Sequence, residues 1–186
     1  VQTDTTVVVS WAQMKELYIP EIVSDGIREY KVTAIMPHMN CDVAFCYNSP
    51  YEKVVIPSTI RSLGDCCFWG AYELHTIVMR SKTPLPFNRA LEPNKSIALY
   101  VPKGSLQAYQ EADGWKKFTI VEGEPVPDFT VDGLTYRIKP GTNSVSIVAC
   151  NDMSAFVGNV VIPEKINYGE EEFAVAEIAN DVFSNI

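Results

Sequence analysis

The chain has 186 residues, 47% hydrophobic and 20% charged, with a formal net charge of −8. That length holds one ordinary domain or two small ones, and the composition excludes disorder as the default state. The negative charge repels phosphate backbones and anionic headgroups, and no apolar run reaches the length of a bilayer span, so neither nucleic acid nor direct membrane insertion is expected.

In chain order, the first strand signal is Thr6-Val7-Val8-Val9, and the next covers residues 17–19. Ser24-Asp25-Gly26 then lies between Ile22-Val23 and Tyr30 and Val32; Asp-Gly between β-formers is a hairpin turn. An insert from Met36 to Asn40 precedes Phe45, and it brings His38 close in sequence to Cys41 and Cys46. Val54-Val55-Ile56 is a short strand whose alternation sends Val54 and Ile56 one way and Val55 the other. Pro57 ends it by removing a backbone donor. Ile60 and Leu63 point inward, Gly64-Asp65 makes a corner and Phe68 plugs the core. Strands at 77–79 and 99–101 follow. Ser105 is expected to cap a helix from Leu106 to about Ala112, which Asp113-Gly114 stops. Trp115, Phe118 and Ile120 are expected to close the end of the stack.

Residues 123–127, rich in proline, are read as a semi-rigid linker between a first module at 1–122 and a second at 128–186. The second module opens with a hairpin, Phe129-Thr130-Val131 and Leu134 to Ile138 about Asp132-Gly133, then a strand from Val145 to Cys150. Val160-Val161-Ile162 is read as the strand that starts its repeat series. The pattern breaks off just after Phe183, as expected of a trimmed chain or a fragment.

Two repeats lie in this pattern. Ile19 to Ile35 aligns without gaps on Ile162 to Ile178, an offset of 143: Ile19, Pro20, Glu21, Gly26, Glu29, Val32 and Ile35 recur. Inside the first module, Phe45, Val54 and Ile56 return 23 residues later as Phe68, Ile77 and Met79, and Met79 returns 22 residues later as Val101. Such a period lies within the range of about 20–29 residues of leucine-rich repeats, whose coils bury their apolar side only by stacking. Stacked in parallel, the strands place Ile19, Ile56, Met79 and Val101 in one buried row. The alternate positions, Tyr18, Val55, Val78 and Tyr100, form an outward row that is apolar for a solvent-facing sheet. That row reflects either ordinary β-propensity or a partner-binding surface.

Val55-Ile56-Pro57-Ser58-Thr59-Ile60 through Leu63-Gly64-Asp65-Cys66-Cys67-Phe68 resembles the repeat of BspA-like leucine-rich-repeat proteins. Where that family usually has Ala before Phe, this chain has Ala44, Cys67 and Val182. Tyr100-Val101-Pro102-Lys103-Gly104-Ser105, with Ala112-Asp113-Gly114-Trp115 and Phe118, resembles the segment that ends such arrays. The resemblance implies an α+β, mostly β fold: short leucine-rich-repeat solenoid modules with parallel strands, inserted β-hairpins and a short capping helix. It also implies a secreted or cell-surface bacterial scaffold that binds a protein partner, such as host matrix or another bacterial surface protein. The rival expectation is a structural spacer within a larger surface protein.

Catalytic chemistry is not expected. A nucleophilic triad would have to use His38 or His75. His38, Cys41 and Cys46 lack the paired spacing of a zinc site, and Glu170-Glu171-Glu172 lacks the loop of a calcium site. No Gly-rich phosphate loop follows a strand. No cofactor and no metal are expected. Of the five cysteines, one bridge is possible and Cys67 is read as a buried thiol. Tyr47, Tyr51, Trp69 and Tyr72 cluster near two repeat corners, where they either pack the corners or contact a ligand.

Overall fold

Short runs of β-branched and aromatic residues, broken by Pro, Gly and Asp, set the strand lengths of this protein. A computed structural model describes residues 15–36, 50–87, 89–91, 96–151 and 161–184. The expected strand at Thr6–Val9, the Phe45 plug and the His38, Cys41 and Cys46 group fall outside these residues. The chain forms two compact units, 1–124 and 125–186. The described residues are mostly β, with one short α-helix.

In the first unit, β1 (Glu16–Tyr18) precedes a hairpin of β2 (Ile22–Ser24) and β3 (Glu29–Lys31), then β4 (Ala34–Ile35). β5 (Lys53–Ile56), β6 (Ser62–Leu63), β7 (Thr76–Met79), β8 (Ala98–Val101) and β9 (Thr119–Glu122) follow. Five strands form a parallel sheet in chain order, β1-β5-β7-β8-β9. In register lie Leu17, Val54, Ile77, Leu99 and Ile120. The last four are 23, 22 and 21 residues apart, so the sequence period is the distance from one strand to its neighbour. The fifth strand, β9, corrects the sequence reading, which ended the sheet at 99–101 and gave Ile120 a packing role only. β4 and β6 pair in a separate two-stranded parallel sheet.

One core runs beneath the parallel sheet. Leu17, Val54, Ile56, Ile77, Met79, Leu99 and Val101 meet Ile60, Leu63, Cys67, Phe68 and Leu74 from the turns, and Ile19 packs against them partly buried. Each fully buried aliphatic side chain is worth about 1.5–3 kcal/mol of transfer free energy. Aromatic rings fill the end of this core next to α1 (Leu106–Glu111) and a 3-10 turn at Trp115–Lys117. Trp115 meets Phe87 edge-on at 5.0 Å and Tyr109 at 6.0 Å between ring centroids, and Phe118 at 5.8 Å. The polar atoms of this cluster are satisfied: Trp115 Nε1 donates to the Leu85 carbonyl at 2.7 Å, and the Tyr109 hydroxyl donates to that of Ser81 at 2.9 Å.

Ser105 does not cap α1 as expected. Its hydroxyl is buried and donates back to the Pro102 carbonyl, closing the preceding turn instead. Such local side-chain-to-backbone bonds compete with capping.

The described residues of the second unit form a five-stranded sheet, β10-β11-β12-β14-β13. β10 (Phe129–Val131) and β11 (Leu134–Ile138) form a hairpin about Asp132 and Gly133, both at positive φ, 49° and 82°. That pair of angles matches the right-handed twist of the flanking strands. β12 (Ser144–Cys150) runs antiparallel to β11 and parallel to β14 (Glu171–Ile178), which pairs with β13 (Lys165–Tyr168) as a hairpin. Phe129, Leu134, Tyr136, Val145, Ile147 and Phe173 form the core, with Val182 and Phe183 packed against it. Residues 161 and 162 are not in a strand. This corrects the reading of Val160-Val161-Ile162: the parallel pairing beside β12 is made by β14 instead.

The hairpins of the two units are superimposable in register. Ile22↔Lys31, Val23↔Tyr30 and Ser24↔Glu29 recur 143 residues on as Lys165↔Ala174, Ile166↔Phe173 and Asn167↔Glu172. Gly26 and Gly169 both take positive φ. The bond from Val32 N–H to the Glu21 carbonyl, 2.9 Å, recurs from Val175 to Glu164, 2.8 Å. The sequence repeat is therefore a structural repeat.

Candidate binding surface

The four positions singled out from sequence do form one row across the sheet. Tyr18 is in register with Val55, Val55 with Val78, and Val78 with Tyr100; Val121 of β9 extends the row. The expectation that this row faces solvent holds only at Tyr18, which is 56% exposed. Val55, Val78 and Tyr100 are buried, Val78 to 1%, in a second apolar cluster with Ala98 on the face opposite the main core. The physical reason is the strand type. Parallel strands are covered on both faces and read as unbroken apolar runs, and Val-Val-Ile, Ile-Val-Met and Leu-Tyr-Val are such runs. Burial raises the Tyr100 phenol above its ordinary pKa.

Tyr18 sits in a small polar network that sequence reading missed. Its hydroxyl donates to Glu16 Oε2 at 2.5 Å, and Lys53 Nζ reaches the same carboxylate oxygen at 3.2 Å and the Tyr18 oxygen at 3.3 Å. The Tyr18 hydrogen bond, chiefly, holds the Glu16 carboxyl below its usual pKa, against the opposing effect of burial. Burial pulls Lys53 down, but its bonds to Tyr18 and Glu16 outweigh that and raise it. Glu16 and Lys53 are in-register neighbours 37 residues apart. The signal was hidden in the sequence because this spacing is longer than the 21–23 residues between the later strands.

A second chain of contacts leads along the same strand ends to a cleft. Glu52 takes Lys15 on one oxygen at 2.5 Å and lies 3.3 Å from His75 Nε2 on the other; His75 Nδ1 is 3.0 Å from Thr76 Oγ1. His75 lines a cleft of about 460 Å³ together with Trp69, Tyr72, Glu73, Leu74 and Leu91, among others. Tyr72 is 75% exposed there, while Tyr51 is buried in the core. The corner aromatics therefore divide: Tyr51 packs, Trp69 and Tyr72 line the cleft. Tyr47 lies outside the described residues.

Among the described residues, no group of three or more His, Cys, Asp or Glu side chains is placed to hold a metal ion. Glu172 instead pairs with Lys165 at 2.7 Å. Cys66 is disulfide-bonded, whereas Cys67 and Cys150 are not in disulfides. Burial pushes the Cys67 thiol up to about 12. Among the described residues no helix is long and apolar enough to cross a membrane.

No family model matches the chain, and no curated protein does. Among solved structures it is similar to a leucine rich cell surface protein from Faecalibacterium prausnitzii A2-165, at 11% identity and a TM-score of 0.34. The match covers 73% of this chain and 54% of that one, so this chain spans about half of its neighbour's length.

Proposed function

We propose that this chain is a BspA-like leucine-rich-repeat scaffold of a bacterial cell surface or secreted protein, and that it binds a protein partner without catalysing a reaction. The strand period, the parallel sheet in chain order and the residues quoted above support the repeat reading. The Cys66 disulfide supports an oxidising, extracellular setting. Burial of Val55, Val78 and Tyr100 moves the proposed contact surface away from the sheet face. It lies instead at Tyr18 and the cleft of Trp69 and Tyr72.

The observation that carries this reading is Tyr72, an aromatic ring three-quarters exposed beside a half-open cleft. Exposed aromatic anchors next to pockets are where binding energy concentrates at protein interfaces. The test is a pull-down of the intact chain against extracellular matrix proteins and bacterial surface extracts, then titration of any saturable partner. Tyr72→Ala and Trp69→Ala are expected to weaken it at least tenfold, about 1.4 kcal/mol. Unchanged affinity in both variants, with a folded sample, overturns the cleft assignment.

The burial of the apolar row favours a second reading, a spacer that holds other domains apart. It is the reading left standing if no partner binds at micromolar concentration.

A further inference from the structure

Phe45 returns as Phe68, so the residues that follow Phe68 have counterparts 23 positions earlier. Trp69, Tyr72 and Glu73 stand where the preceding repeat has Cys46, Ser49 and Pro50, and in the second unit Phe183 is followed by Ser184. The residue that plugs the corner is Phe68, which is buried. A half-buried Trp69 beside an exposed Tyr72 and an exposed Glu73 is therefore not demanded by the coil. All three line the same cleft, whose volume of about 460 Å³ falls within the range of ligand pockets, about 300–1,000 Å³.

The charges of the cleft are unbalanced. Glu73 is the one carboxylate among its described lining residues, and no Lys or Arg is among them. Glu52, which reaches the cleft's His75 at 3.3 Å, is already engaged by Lys15 at 2.5 Å. The Glu73 carboxylate makes no hydrogen bond or ion pair among the described residues. The net charge of −8 draws cations towards the surface as a whole. Aromatic rings beside an unpaired carboxylate suit a planar, weakly hydrated cation, which stacks on a ring and offers the carboxylate paired N–H donors. A lysine ammonium is compact and strongly hydrated, and a half-open cleft does little to strip its water.

We propose that the cleft of Trp69, Tyr72 and Glu73 is a receptor for an arginine side chain of the partner. The guanidinium lies against the aromatic faces and donates to the Glu73 carboxylate, and its aliphatic stem runs along the apolar wall of Leu74 and Leu91. The inference rests on the cleft being the contact surface and adds the side chain that enters it.

The probe is acetyl-Gly-Arg-Gly-amide, titrated into the full chain and followed by the Trp69 indole N–H resonance and the amides of residues 70–75. The arginyl peptide is expected to shift these saturably. Its citrulline counterpart, matched in shape but uncharged, is expected to bind at least about fivefold more weakly. Glu73→Gln is expected to weaken the arginyl peptide at least about threefold. Tyr72→Leu, which keeps apolar bulk without a ring, is expected to do the same. The indole resonance of the buried Trp115, unmoved, shows that each variant is folded. Equal binding of the two peptides, or arginyl binding unchanged by Glu73→Gln, overturns the proposal. So does the absence of a saturable shift at the cleft, or a preference for cellobiose, a neutral sugar that also stacks on aromatic rings. A captured protein that is lost with Tyr72→Ala but indifferent to Glu73→Gln leaves the cleft as the contact surface and overturns the arginine assignment alone. Glu73-dependent binding of the peptide with no protein captured supports the arginine site and speaks against the partner classes named above.

Discussion

Gly114 joins the short helix to the 3-10 turn, and two independent features of its surroundings forbid a side chain. Its φ is +82°, in the region that L residues rarely adopt. A Cβ built there would lie 2.2 Å from Phe87 Cγ and 2.6 Å from Phe87 Cβ, well inside contact distance. Relief would require Phe87 to leave its edge-on packing against Trp115 at 5.0 Å and Phe118 at 6.0 Å. The backbone term costs about 1–3 kcal/mol and the overpacking term a further 1–3 kcal/mol, so Gly114→Ala is expected to lose about 2–6 kcal/mol. Gly104 separates the two terms, since its φ is +81° and nothing lies within 4 Å of its added Cβ. Gly104→Ala is expected to cost the backbone term alone. The assay is urea unfolding followed by tryptophan fluorescence, with the midpoint shift read at constant m. Phe87→Ala in the Gly114→Ala background should recover part of the loss, a non-additive pair. Equal losses for Gly114→Ala and Gly104→Ala, or strict additivity with Phe87→Ala, would refute the clash.

Cys67, fully buried with its pKa pushed from 9.0 to about 12, is expected to resist thiol reagents in the native chain at pH 8 while the partly exposed Cys150 reacts. Because the folded value is raised, its contribution is complete below pH 9 and is lost as pH rises towards 12. The full loss is about 4 kcal/mol, measurable as an alkaline fall in urea midpoint that Cys67→Ala flattens. Thr59 Oγ1 is buried with no hydrogen-bond partner among the described residues, so Thr59→Val is expected to raise stability by about 1 kcal/mol, and a lower midpoint would contradict that accounting. Trp115→Phe keeps the ring packing but strips the donor from the Leu85 carbonyl; a loss of about 1–3 kcal/mol in the same unfolding assay is expected.

The elements most legible in the sequence were those whose signal is local. Asp132-Gly133 and Ser24-Asp25-Gly26 declare their turns through residues that tolerate positive φ, and both hairpins are present. The strand spacing was legible because Val54, Ile77 and Leu99 sit in register on successive strands of the parallel sheet. β9 escaped because Thr119-Ile120-Val121-Glu122 has only two apolar residues and runs into the Pro-rich segment. Its distance of 21 residues from Leu99 to Ile120 was the available signal.

The row of Tyr18, Val55, Val78 and Tyr100 shows what local reading leaves out. Alternation along Val54-Val55-Ile56 gives the right partition of side chains between two faces but does not say which faces are wet. A half-exposed strand carries polar residues on its outer face, as β1 does with Glu16 and Tyr18 about a buried Leu17. β5, β7 and β8 carry Val55, Val78 and Tyr100 at the matching positions, and all three are buried. The row therefore changes character between β1 and β5, from a solvated network of Glu16, Tyr18 and Lys53 to a closed apolar cluster. The accessible groups of this sheet therefore lie on β1 and in the cleft lined by His75, where the buried strands behind them fix their positions.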